Sequence, residues 1–166
     1  MRRALEDLEF QTLVDPAATR PTGWVPVDEH VAKLRSRFRT ARDARDYNAV
    51  GLLCATTLQV LGRFIFDPGR HLPDGEAEPG PDDAKRRITF YVDALTRHEG
   101  AALAEVRKLV APSARLAEAV KHARSPTRVE AGIAADAAIQ LVQLVRRLSE
   151  LEGTRGGDGR RHSARR

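Results

Sequence analysis

The chain has 166 residues, one cysteine and a net charge of +5. That length supports one ordinary domain with a core of its own, and a lone cysteine excludes an internal disulfide. Four of the five net charges come from residues 153–166, which hold five arginines against Asp158, so the basic balance does not mark a basic folded domain.

Residues 1–27 are expected to form a short helix and an arm, residues 28–152 a helical bundle, and residues 153–166 a disordered basic tail. The short helix uses Leu5, Leu8 and Leu13. Glu6 and Asp7 arrive before any apolar run, so no signal peptide is expected. Three prolines and Gly23 make residues 15–26 a loop, which Trp24 pins to the body.

The first long helix is predicted from about Asp28 to Ala44. Val27, Val31, Leu34, Phe38 and Ala41 repeat at helical spacing. The second runs from an N-cap at Asp46 to Phe66, with Val50, Leu53, Cys54, Thr57, Leu61, Phe64 and Ile65 as its main face. Apolar residues on its other sides make it the central helix. Its longest uncharged run, residues 47–62, is too short to span a bilayer and contains Asn48, Thr56, Thr57 and Gln59. A cytoplasmic address without a membrane partner follows as an expectation, and Cys54 reads as a buried structural thiol. Gly51 and Gly62 lie three turns apart on one side, where another backbone can approach.

Residues 67–81 carry four prolines and three glycines and are predicted to be a loop. A third helix starts near Asp82 and uses Ala84, Ile88, Tyr91, Val92 and Leu95. A fourth covers about Ala101 to Ala123, with Val106, Leu109, Leu116 and Val120 on its apolar side and Pro112 forcing a kink or a split. A fifth opens with Ser125 as N-cap and Pro126 at the first position. Its stripe is Val129, Ile133, Ala137, Leu141, Leu144, Leu148 and Leu151. Ile139, Val142 and Val145 widen that stripe well beyond one face, so the helix is either central in its own bundle or shared with a second subunit. No segment alternates with period two, so the fold class is all-α.

The five histidines fall in different elements without metal-ligand spacing, and no phosphate-binding glycine loop or GxSxG elbow is present. Neither a metal nor a cofactor is expected. Arg115 and His122 stand out instead. Seven residues at about 100° each bring them within about 20° of one helix face, opposite the apolar side. An imidazole can move a proton from a ribose 2′-OH while a guanidinium holds the phosphate's charge. Lys108 lies on the same line one heptad earlier. The plain alternative is a solvated helix face. Arg35, Arg39 and Arg42 form a basic stripe on the first helix, suited to a nucleic-acid backbone or to shielding apolar neighbours with their stems.

Two segments carry a resemblance. Asp46-Tyr47-Asn48-Ala49-Val50-Gly51-Leu52-Leu53-Cys54 leads on to Asp67-Pro68-Gly69-Arg70-His71 and then to Asp83-Ala84-Lys85-Arg86. This series resembles the DYxxxGxLC helix, D-P-x-x-H loop and D-A-K-R helix start of a bacterial domain found in abortive-infection and restriction-associated proteins. Leu116-Ala117-Glu118-Ala119-Val120-Lys121-His122 resembles that domain's L-A-x-x-L-Q-H ending. The domain is similar to the HEPN superfamily, helical bundles that often dimerise and include metal-independent RNases of toxin and phage-defence systems. The superfamily's signature is an arginine, four to six residues and a histidine, and Arg115 and His122 fit it with six between. The resemblance implies a homodimer, a role in prokaryotic defence or stress response, RNA as a partner, and His122 and Arg115 as the catalytic pair. A partner protein of a defence or toxin-antitoxin system is a further implied contact. Leu116 stands where a polar residue usually follows the arginine. That departure leaves a non-catalytic interaction module, accessory or immunity subunit, as the alternative, and a plain nucleic-acid-binding protein as a third.

Overall fold

A computed structural model describes residues 21–152. Five main helices and two single-turn segments make up the described chain, in which no strand occurs: α1 (Val25–Thr40), α2 (Ala44–Ile65), α3 (Pro68–His71), α4 (Ala84–Thr96), α5 (Ala101–Ala104), α6 (Arg107–His122) and α7 (Arg128–Leu148). The all-α expectation holds. The short helix at residues 4–13 and the disordered tail at 153–166 lie outside the described residues.

Helix α2 packs against α1, α4, α6 and α7. By length and composition it is apolar enough to cross a membrane, yet half of its apolar window is buried in this bundle. Its two glycines explain how close the neighbours come. A Cβ on Gly51 would sit 2.4 Å from the Lys121 backbone nitrogen, and one on Gly62 would sit 3.3 Å from the Ala84 Cα. The expected close approach therefore occurs twice, against two different helices.

Helix ends differ from the sequence reading wherever two capping signals compete. Helix α1 starts three residues earlier than expected, because Pro26 occupies the first turn, where its missing N–H costs nothing. Asp28 reaches back instead, accepting from the Thr22 and Gly23 amides at 2.8 and 3.0 Å. The N-cap of α2 is Asp43, whose carboxylate accepts from the Asp46 amide, rather than Asp46 itself. The N-cap of α7 is Thr127, two residues beyond Ser125. Glu130 completes a reciprocal capping box with it, satisfying one orphan amide on each side. Residues 67–81 are not all loop. Asp67 caps the one-turn α3 by accepting from the Gly69 amide at 2.9 Å.

The predicted fourth helix divides, though not at Pro112. Residues 105 and 106 tighten into i→i+3 bonds (Val106 to Leu103 at 3.2 Å, Lys108 to Glu105 at 3.0 Å), and α6 then runs through Pro112 unbroken.

The core stripe of α1 is buried as expected, with Val27, Leu34, Phe38 and Ala41 fully enclosed. Two stripes are rotated. In α6 the buried side is Val110, Ser113, Ala117 and Val120, while Leu109 faces out. In α7 the core is filled by Ala131, Ala134, Ala135 and Ala138 before Ile139, Leu141, Val142 and Val145, and Val129 and Ile133 are about half exposed. Phe64 is likewise half exposed, packing on Trp24 with ring centroids 5.4 Å apart.

Candidate functional site on the outer face of α6

The Asp46–Cys54 segment forms the seat of α6. Asn48 donates from Nδ2 to the carbonyls of Val120, Lys121 and Ala123 at 2.8, 3.2 and 2.9 Å, satisfying acceptors that a helix C-terminus leaves orphaned. Gly51, one turn on, lets the α6 backbone lie directly against α2. Cys54 is buried below, and desolvation pushes its thiol up to about 12. The two segments that carried the resemblance therefore meet, the first fixing the final turn of the second.

His122 on that fixed turn and Arg115 two turns earlier are both exposed and point away from the buried side of α6. Between them lies Glu118, a residue the sequence reading passed over although its i+4 spacing to His122 was visible. Its Oε2 is 3.2 Å from the His122 Nε2, and Lys121 Nζ lies 3.3 Å from the same oxygen. An Nε2–H donated to Glu118 leaves Nδ1 as the free, proton-accepting nitrogen. Arg115 makes no hydrogen bond or ion pair among the described residues. Lys108 sits in the first turn of α6, exposed and paired with Glu105 at 2.8 Å.

The basic stripe on α1 is shorter than expected. Arg35 is half-buried and Arg39 exposed, but Arg42 lies beyond the end of α1. The chain turns at Ala41, and Arg42 Nη1 folds back onto the carbonyls of Arg39 and Ala41 at 2.9 and 3.0 Å. Arg37 pairs with Asp46 at 2.7 Å.

A groove of about 580 Å³ adjoins the α6 face, bounded by α2, the start of α4 and α6. Arg115 and Glu118 form part of its rim. On the other flank, Leu116, Ala119, Pro126 and Ile133 line a smaller apolar depression between α6 and α7.

A second polar cluster, also missed in sequence, is built by the Asp67–His71 turn. His71 is buried, accepts the Asp67 amide on Nδ1 at 3.0 Å and stacks edge-on to Tyr91 with centroids 4.9 Å apart. Glu152 accepts from the Tyr91 hydroxyl at 2.9 Å, pairs with Arg70 at 2.8 Å and faces His71 Nε2 at 3.6 Å. Desolvation lowers the His71 pKa against the opposing pull of Glu152. Burial, then the Glu152 hydrogen bond, raises that of Tyr91. These contacts tie the Asp67–His71 turn to α4 and to the end of the described chain, and the cluster lines a cavity of about 370 Å³ with Trp24 and Ser149.

Comparisons with protein-family models, curated proteins and solved structures return no match. Among the described residues, no group of three or more His, Cys, Asp or Glu is placed to hold a metal ion.

Proposed function

We propose that this chain is a HEPN-like helical protein of a prokaryotic defence or stress-response system that acts on RNA through the outer face of α6. The observation that carries the reading is the exposed line Arg115–Glu118–His122 on a helix whose end is clamped by Asn48. In this reading Nδ1 of His122 takes the proton of a ribose 2′-OH, and the freed oxygen attacks the adjacent phosphorus. Arg115 balances the charge gathering on the phosphate, and the 5′-oxygen leaves with a proton from solvent. Glu118 fixes the imidazole tautomer. Half-exposed Ile133 beside Leu116, with Val129 one turn before it on α7, supports a homodimer across α6 and α7, since apolar side chains grouped on one surface are the usual mark of a partner.

Purified protein in EDTA should degrade total RNA, and His122→Ala should slow this by at least about a hundredfold, the usual worth of a general base. Intact RNA would instead leave the non-catalytic module. Leu116 directly after Arg115 and the double engagement of Glu118 with Lys121 and His122 favour that second reading. Ile133→Asp should reduce the sedimenting mass to that of a monomer under either reading.

A further inference from the structure

The groove between α2, the start of α4 and α6 holds five charged side chains, and their commitments are unequal. Two of the three carboxylates are paired with cations, and the third keeps its charge. Asp82 is paired with Arg63, Asp83 caps α4 by accepting from the Arg86 amide at 3.1 Å, and Glu118 holds Lys121 and His122. Neither cation, Lys85 or Arg115, has a hydrogen-bond or ion-pair partner among the described residues, and both are exposed. Apart from Gln59, the rest of the lining is small or apolar, with Ala55, Leu58, Ala111 and Ala114 among it. With Asp82 and Glu118 offset by Arg63 and Lys121, Lys85 and Arg115 together outweigh Asp83, so the groove's uncompensated charge is positive although its composition is not. Its volume of about 580 Å³ falls in the range of small-molecule sites.

From this imbalance of uncommitted charge over an apolar floor, we infer that the groove binds a compact organic phosphate monoester. Its head lies toward Lys85 and Arg115 and its body lies on the alanine floor. A monoester is close to doubly charged at neutral pH, which matches two free cations better than a carboxylate or a diester does. The groove shares Arg115 with the proposed RNA-cleaving face, whereas Lys85 and the floor belong to the groove alone.

Isothermal titration of the full chain with phenyl phosphate, inorganic phosphate and phenol tests it. Phenyl phosphate should bind once per chain and at least about tenfold more tightly than inorganic phosphate, with phenol giving no saturable heat. Lys85→Glu should weaken phenyl phosphate by at least about tenfold, and Ala114→Trp, which fills the floor, should abolish binding. His122→Ala should leave the affinity unchanged, so that failure of the RNase reading and failure of this one are separable. Adenosine monophosphate as a further probe distinguishes the body: binding at least as tight as phenyl phosphate identifies a nucleoside, weaker binding a smaller group. Absence of saturable binding by any phosphate probe overturns the inference. So does an affinity that survives Lys85→Glu, a surface change that leaves the helical circular dichroism intact and decides the matter if Ala114→Trp does not fold.

Discussion

The molecule carries two histidine–carboxylate pairs whose surroundings could hardly differ more. His122 and Glu118 sit one turn apart on a single helix, the histidine side chain 69% exposed. His71 and Glu152 come from distant parts of the chain, the histidine side chain 4% exposed. In the buried pair one imidazole nitrogen takes a backbone amide, the other faces the carboxylate, and the ring is wedged on Tyr91. Both ring nitrogens thus face protein partners. In the exposed pair one nitrogen is engaged and one is free. The same two functional groups thus make a rivet in one place and a usable proton acceptor in the other, and access to solvent is what separates them.

That contrast can be broken experimentally, and the largest effect belongs to the platform under the exposed pair. Gly51→Val places a side chain where the first carbon alone would lie 2.4 Å from the Lys121 nitrogen. It should cost about 3 kcal/mol or more by denaturant unfolding, with α6 pushed off α2. His71→Ala comes next. It removes a buried stacked ring and strands the Asp67 amide and Glu152, at about 2–3 kcal/mol, whereas His122→Ala should stay within about 0.5 kcal/mol of wild type. Equal losses in the two variants would erase the distinction drawn between the pairs. Asn48→Ala removes one donor from three α6 carbonyls and should cost about 1–2 kcal/mol.

The smallest effect is in the pH dependence. Because the folded-state pKa of His71 is lowered by desolvation, the unfolded chain binds a proton more readily. Stability from this group is complete above the ordinary histidine value of 6.5 and falls as pH drops below it towards the folded-state value. Melting temperature measured between pH 7.5 and pH 5.5, on the order of the window this titration covers, should decline in wild type and decline less in His71→Gln. A matching slope in both proteins would remove His71 from the account.

Local periodicity made much of the bundle legible. The α1 stripe was readable because Val, Leu and Phe recur at 3.6-residue spacing and all bury. The α7 stripe was misread for the complementary reason: its core-facing first half is alanine, too weakly apolar to outvote Val129 and Ile133, which point outward. Caps were missed where adjacent polar residues offered rival starts, as at Ser125 and Thr127, and only the return bond from Glu130 decides between them. The outward aim of Arg115 and His122 followed from spacing alone. The clamp by Asn48 and the Tyr91–Glu152 bond did not, since they join residues 61 to 75 positions apart, and neither did the groove, which three separate segments build.

Trp24 and Glu152 line one cavity, and Arg146 ties them further by donating to the Thr22 carbonyl at 2.7 Å. The bundle's entry and exit are thus neighbours, which makes it a cassette. Spliced into a loop of a host protein, or rejoined end to end by a short linker and reopened elsewhere, it would need little rearrangement of either strand of connection. The α6 helix would be carried along untouched, because none of its residues lines that shared cavity.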